Sequence, residues 1–370
     1  MIQVLHIDTE ESWRGGQQQV AYLVEGLFKK GFTTALVCQA NSTFEKYCED
    51  KNLPYFSMLM LGEMDFLAGY RIAKVSKKLG FNVLHLHSAH ALAIGMWAKL
   101  FCRDLKLIAV RRVDFHIKNN WFSRFKYNGK LLDRIVCVSD RIKNILIEDG
   151  IEPEKLVTIH SGIDTHKFEK IVPPNDFREK FGIPQNHILV GTVAAIVDHK
   201  DYPNLMRAAK IVIEKLDHVT FCAVGDGPDK NQVLKLANEL NLNNRFIFTG
   251  FRNDVGNFLK SFDVFVMASK LEGLGSSILD AFSVGLPVAA CRAGGIPEMV
   301  SHNKNGILVP PQNPQALADA IISLVKDQDL RKRLGQNALK TVTEFDVEVT
   351  INKNIKLYKE ICSLSQKQKR

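Results

Sequence analysis

FDVFVMASKLEGLGSSILDAFSVGLPVAA, Phe262 to Ala290, reads as a β-strand, a glycine-containing turn, a helix and a second strand. The apolar run Phe262 to Ala268 has strand composition, and Pro287 to Ala290 is the next such run. Between them, Gly273 and Gly275 let the backbone approach a ligand, and Ser276 and Ser277 are good helix N-caps. Amides exposed at that helix start would attract phosphate. Two carboxylates bracket the turn: Glu272, and Asp280 eight positions on. Ser277 and Asp280 also have capping-box spacing, so Asp280 serves either a ligand or a backbone amide, and spacing alone leaves both readings open.

Working outward, the same alternation recurs. Short apolar runs at Gln3–Ile7, Thr34–Cys38, Val83–Leu86, Leu107–Val110 and Ile135–Val138 are separated by longer amphipathic stretches. A second series follows at Ile188–Val193, Thr220–Val224, Arg245–Phe248, Val264–Met267 and Pro287–Ala290. Strands alternating with helices imply parallel sheets covered on both faces. Ser161 to Asn175, SGIDTHKFEKIVPPN, interrupts the alternation and reads as a linker between two doubly wound α/β domains facing a cleft. The expected domains are 1–165, joined by a C-terminal helix over 346–370, and 166–345.

Bulk composition agrees. The chain has 370 residues, enough for two cores, since single cores stop growing near ~250 to 300 residues. Apolar residues make up 46% and charged residues 24%, the balance of a water-soluble globular protein. Seven scattered cysteines without a CxxC pair read as reduced core residues of a cytoplasmic protein. No basic leader and no window of ~18 apolar residues is present, so neither export nor a membrane span is expected.

The net charge of +9 is uneven. Arg111, Arg112, Lys118, Arg124, Lys126 and Lys130 face one acid, Asp114, and are interleaved with Phe115, Trp121, Phe122, Phe125 and Tyr127. Such a stretch suits an anionic membrane surface or a phosphorylated acceptor, or is a solvated basic face. No nucleic-acid module surrounds it, so nucleic acid is not an expected partner.

Several loops carry chemistry. Gly15 and Gly16 in SWRGGQQQ follow the first strand and could expose amides to a diphosphate, or form a plain turn. The third glycine of the dinucleotide fingerprint is missing, which argues against a nicotinamide cofactor. His85, His87 and His90 lie in LHLHSAHA, with His85 and His87 on one face. No third ligand outside this cluster is evident, so no metal is expected. Lys200, just past a strand end in AAIVDHKDYPN, is placed to neutralise phosphate, or is a surface lysine. VGDGP and TGFR are further turns after strands, where backbone groups could meet a base edge.

Taken together and in order, these pieces resemble the glycosyltransferase family 4 group of retaining enzymes with the GT-B fold. The resemblance spans nearly the whole chain and rests on RGGQQQ, HSGIDTHKF, VDHKDYPNL, VGDGP, FTGF and the block ending AGGIPEMV. It implies two Rossmann-like domains, the second holding the nucleotide, and a final helix crossing back onto the first; Asp346–Ile361 is suitably amphipathic. By the resemblance, Lys200 binds the donor diphosphate and Glu272 the hydroxyls of the transferred sugar. Asp280 holds the ribose, the amides of Gly275, Ser276 and Ser277 cradle the phosphates, Gly273 and Leu274 belong to the same donor-binding turn, and Phe251 and Arg252 flank the base. Gly15 and Gly16 meet the donor from the other domain, and His87, His90, Arg111 and Asp114 are acceptor-side candidates.

This chain departs from the family pattern at three places. Asp280 replaces the usual glutamate, Ala195 stands where an arginine is common, and RRVDF replaces a histidine near the reacting sugar. Arg111 or Arg112 is the candidate for the missing charge, and Arg112 joins Glu272 and Lys200 as a catalytic candidate. The implied reaction moves a sugar from a nucleotide donor to a carbohydrate or glycolipid hydroxyl with retention and no metal, in cell-envelope polysaccharide or lipopolysaccharide synthesis. It would take place in the cytoplasm, at the inner membrane face. A nucleotide-sugar epimerase of the same fold and a catalytically silent binding subunit are the alternatives.

Overall fold

The computed structural model describes residues 2–117, 126–242 and 244–368. The chain divides into two compact units, Met1–Gly162 with Val347–Arg370, and Ile163–Asp346.

The first unit holds a parallel sheet of seven strands: β1 (Gln3–Asp8), β2 (Thr33–Gln39), β3 (Tyr55–Met58), β4 (Val83–Leu86), β5 (Lys106–Arg111), β6 (Arg134–Cys137) and β7 (Leu156–Thr158). They lie in the order β3-β2-β1-β4-β5-β6-β7. The second unit holds six: β8 (Ile188–Val193), β9 (Val219–Val224), β10 (Phe246–Phe248), β11 (Val264–Met267), β12 (Val288–Cys291) and β13 (Gly306–Val309), in the order β10-β9-β8-β11-β12-β13. Both are Rossmann-like doubly wound sheets, and each reverses strand order once, between β1 and β4 and between β8 and β11. At such a reversal the loops at the carboxyl ends diverge and leave a crevice for ligands.

Three strands were not foreseen: β3, β7 and β13. Each lies at a sheet edge, so it pairs on one side only, and β3 is half exposed along its length. That exposure accounts for the missing apolar run of β3 alone, since β13 is buried and apolar along its length.

The final helix, Val347–Gln368, packs on the first unit, where Ile351, Ile355, Tyr358 and Ile361 share a core with Val4, Leu23 and Leu27. Gly26 permits that approach, because a Cβ there would lie 2.2 Å from Ile351 Cδ1. The stretch 161–175 is more ordered than a linker. The Ile163 amide donates to the Phe345 carbonyl at 3.0 Å, and Phe168 is buried beside Gly256, whose missing Cβ makes its room.

Of the basic aromatic stretch, Lys118, Trp121, Phe122, Arg124 and Phe125 lie outside the described residues. Lys126 turns inward, donating to Glu63 Oε1 at 2.8 Å and to the Ala89 carbonyl at 2.7 Å. The seven cysteines are free thiols, five of them buried. Among the described residues, no helix is long and apolar enough to cross a membrane.

Candidate active site

In the second unit the order reversal lies between β8 and β11, and the loops after these two strands carry Lys200 and Glu272. The two side chains form an ion pair, 15% and 12% exposed. The loops are stitched by the Lys270 amide, which donates to the His199 carbonyl at 2.9 Å, and by Lys270 Nζ on Asp198 Oδ1 at 2.7 Å.

Glu272 is held from three sides. Beyond Lys200, the buried Ser269 hydroxyl donates to its Oε2 at 3.2 Å, and the Gly295 amide donates to its carbonyl at 3.0 Å. The second contact gives the AGG turn its purpose: it fixes the backbone from which the carboxylate projects. Ser269 was missed in the sequence, where one serine after a strand carries no signal of its own.

Leu274 is buried and anchors the turn between Gly273 and Gly275. Gly275 has φ of 94°, a left-handed conformation that glycine adopts without penalty, and a Cβ there would press on Glu272 Cγ at 3.3 Å. The helix begins at Ser276 with Gly275 as N-cap and no side-chain cap bond. The expectations that Ser276 or Ser277 caps it, and that Ser277 and Asp280 form a capping box, are therefore corrected: both serines lie inside the first turn. Asp280 is one turn along, and burial raises its carboxyl pKa to about 6, opposed by Lys167.

The other loops divide. Gly225 and Gly227 of VGDGP are packing glycines, since a Cβ would fall 2.0 Å from the Ala194 carbonyl oxygen and 2.1 Å from that of Ile196. They let this turn press on the strand end leading to Lys200. Arg252 makes two 2.8 Å bonds to the Asp254 carboxylate and rests over the rings of Phe181 and Phe258. Its fork braces its own loop, whereas the neighbouring Phe251 is 72% exposed.

The first unit gathers a second group at its own order reversal, between β1 and β4. A cavity of about 440 Å³ is lined by Glu10, Gly16, His87, Arg111, Arg112, Phe115 and Tyr127 among others. Gly15 is open, and Arg112 Cδ lies 3.7 Å from where a Gly16 Cβ would stand. Arg111 donates to the Phe115 carbonyl at 2.6 Å and lies over the Phe115 and Tyr127 rings. Burial lowers the Arg112 pKa to about 10, and nearby Asp8 opposes the shift. The Nε atoms of both arginines are buried without a partner. Asp114 is half-buried just beyond, and His90 is exposed on the first turn of the helix Ala89–Phe101.

His87 is not free-standing. Its Nε2 lies 3.0 Å from His6 Nδ1 and its Nδ1 is 3.5 Å from Arg112. His85 Nδ1 meets the Tyr358 hydroxyl at 2.7 Å. The third histidine that the sequence did not reveal is His6, paired with His85 across β1 and β4. One nitrogen from each of the three lies within 4.8 Å of the others, a spacing compatible with a metal. Burial holds all three imidazoles well below their ordinary pKa, so they are neutral, and Arg112 sets a fixed positive charge beside them.

Two doubly wound units, the second with a cation, a carboxylate and an uncapped helix start at its order reversal, define the GT-B class of sugar-transferring enzyme. The chain belongs to glycosyltransferase family 4: that family's model matches residues 13–167, and the model "Glycosyl transferases group 1" matches 174–341. It is 30% identical to an uncharacterized glycosyltransferase of Methanocaldococcus jannaschii over 72% of this chain and 70% of that protein. It is 24% identical, over 96% of both chains, to UDP-Gal:alpha-D-GlcNAc-diphosphoundecaprenol alpha-1,3-galactosyltransferase of Escherichia coli. Its fold matches Anabaena HepE, solved with UDP and glucose, at a TM-score of 0.87, 20% identity and coverage of 97% and 100%.

Proposed function

We propose that this chain transfers a sugar from a UDP-sugar to a hydroxyl of a lipid-linked saccharide, with retention of anomeric configuration, at the cytoplasmic face of the cell envelope. The observation that carries the reading is the Lys200–Glu272 pair beside the uncapped start of the helix Ser276–Ser283. A departing diphosphate needs positive charge, which Lys200 and the first-turn amides of that helix supply without a metal. Glu272, released from Lys200 as the lysine turns to phosphate, accepts hydrogen bonds from the sugar hydroxyls and fixes the ring. The sugar becomes oxocarbenium-like, and the acceptor enters on the face the diphosphate leaves. A departing phosphate oxygen takes the acceptor proton, so no enzyme nucleophile is required.

Asp280 holds the ribose, Phe251 lies against the base, and the arginine-lined cavity of the first unit receives the acceptor. The E. coli relative, whose acceptor is a diphosphoundecaprenol-linked sugar, and HepE with its UDP support the choice of acceptor class and donor.

Incubation with UDP-, GDP- and ADP-sugars, with and without acceptor and with and without EDTA, tests this. UDP release only with acceptor, unaffected by EDTA and lowered by about 10²- to 10³-fold in Lys200→Ala, is expected. Conversion of the donor without acceptor would instead identify an epimerase.

A further inference from the structure

The helix Phe66–Leu79 of the first unit buries Ala68, Gly69, Ile72, Ala73 and Ser76 and turns its other face outward. Gly69 is what lets it lie so close to the helix Ala89–Phe101, since a Cβ there would fall 2.5 Å from Trp97 Cβ. The outward face is divided along its length. At its start Phe66, Leu67 and Tyr70 are 53%, 55% and 50% exposed, next to Leu61 at 79% and Met64 at 73% in the preceding turn. Phe101, 52% exposed, joins them by edge contact with Tyr70, ring centres 5.4 Å apart. Towards its end the same face carries Arg71, Lys74, Lys77 and Lys78, all exposed.

No Asp or Glu occurs from Phe66 to Arg103. The two acids just before are engaged. Asp65 accepts from the Leu61 amide and caps the helix through the Ala68 amide, both at 2.9 Å, and Glu63 pairs with Lys126. Asp65 thereby fixes the turn that holds Leu61 and Met64 outward.

We propose that this face docks the enzyme on an anionic lipid surface. The apolar and aromatic side chains enter the headgroup boundary, and Arg71, Lys74, Lys77 and Lys78 rest on lipid phosphates. A large apolar patch on a globular protein marks an interaction surface. An apolar end continued by cations without an acid is what an anionic bilayer complements. A second copy of the chain fits less well, because a twofold contact would set four cations against four. The surface differs from the Arg111–Lys130 stretch, of which Lys126 is turned inward and Arg111 and Arg112 line a cavity.

Docking is independent of the catalytic reading, so its test reads binding and not turnover. The full chain is sedimented with vesicles of phosphatidylcholine alone and of phosphatidylcholine with phosphatidylglycerol, at low and high salt. Two variants accompany it, Phe66→Ser with Leu67→Ser, and Lys74→Glu with Lys77→Glu and Lys78→Glu; thermal melting of each checks folding. The wild type is expected to sediment with the phosphatidylglycerol vesicles at low salt and less at high salt, each variant binding about tenfold or more weakly with unchanged melting. Absence of wild-type binding, or folded variants that bind as the wild type does, overturns the proposal. So does a patch whose substitution changes only self-association in light scattering.

Discussion

Asp280 carries an unusual burden for a single residue. The helix start is capped by Gly275 and not by Ser277, so its carboxylate has no capping duty, and burial raises its pKa to about 6. The sign of its stability effect follows. A carboxyl whose folded pKa lies above its ordinary 3.8 binds its proton more tightly when folded, so it favours the fold at acid pH and that contribution fades between about pH 4 and 6. At neutral pH the charge is a cost to the fold, as expected if the proposed ribose contact is its role. Asp280→Asn is therefore expected to raise the melting temperature at pH 7 while weakening UDP binding. In the wild type, calorimetric affinity for uridine, which carries no titrating phosphate, is expected to increase from about pH 5 to 7 as the carboxylate ionises to accept from ribose hydroxyls, and to lose that increase in the variant. A variant that melts lower and binds UDP unchanged would return Asp280 to a structural role. A strand end and a glycine turn marked Lys200 and Glu272 as candidates, and only the order of the surrounding motifs singled them out; the ion pair between them appears in the fold. Ser269 was not legible, since its role appears only once the turn folds its hydroxyl onto Glu272.

At the scale of elements, the final helix is tied to the first sheet through a buried bond from Tyr358 to His85, which lies against the group His6, His87 and Arg112. Sequence separations of 81 and 273 residues put these contacts beyond any local pattern. Alternation did place His85 and His87 on one face, with rings 4.5 Å apart, but the partner strand and helix had no way to declare themselves. All three histidines have pKa values depressed by burial, His6 to about 3. Their contribution to stability is complete above the ordinary value of 6.5 and is lost as pH falls below it, because the unfolded chain takes up protons the folded one refuses. Each such histidine adds a slope approaching about 1.4 kcal/mol per pH unit. The melting temperature is accordingly expected to fall steeply from about pH 6.5 towards 5. Tyr358→Phe, which strips His85 Nδ1 of its partner, is expected to cost about 1 to 3 kcal/mol at pH 7.5 by urea unfolding. A melting temperature constant over that acid range would contradict the neutral cluster.

At the scale of the whole molecule, two α/β units were readable because the interior strands are largely buried and spell short, mainly apolar runs between longer amphipathic stretches. The strands that escaped, Tyr55–Met58, Leu156–Thr158 and Gly306–Val309, are all sheet edges; Tyr55–Met58 is half exposed and lacks the apolar run, whereas Gly306–Val309 is buried and apolar and nothing in its composition hides it. The stretch after Ser161 read as a linker because its apolar residues, among them the buried Ile163 and Phe168, are scattered among polar ones, and the room for Phe168 and Ile171 is made by a glycine distant in sequence, Gly256. The candidate site residues gather where the sheets reverse order: Lys200 and Glu272 in one unit, and Gly16 and His87, with Arg112 from the end of the next strand, in the other. The central claim is that the lysine, the glutamate and the helix start let a sugar leave UDP and join its acceptor on the same face. Proton NMR of the purified product, reading the anomeric coupling against that of the donor sugar, tests it most directly. An α-linked donor giving an α-linked product is the predicted result, and a β-linked product would contradict it.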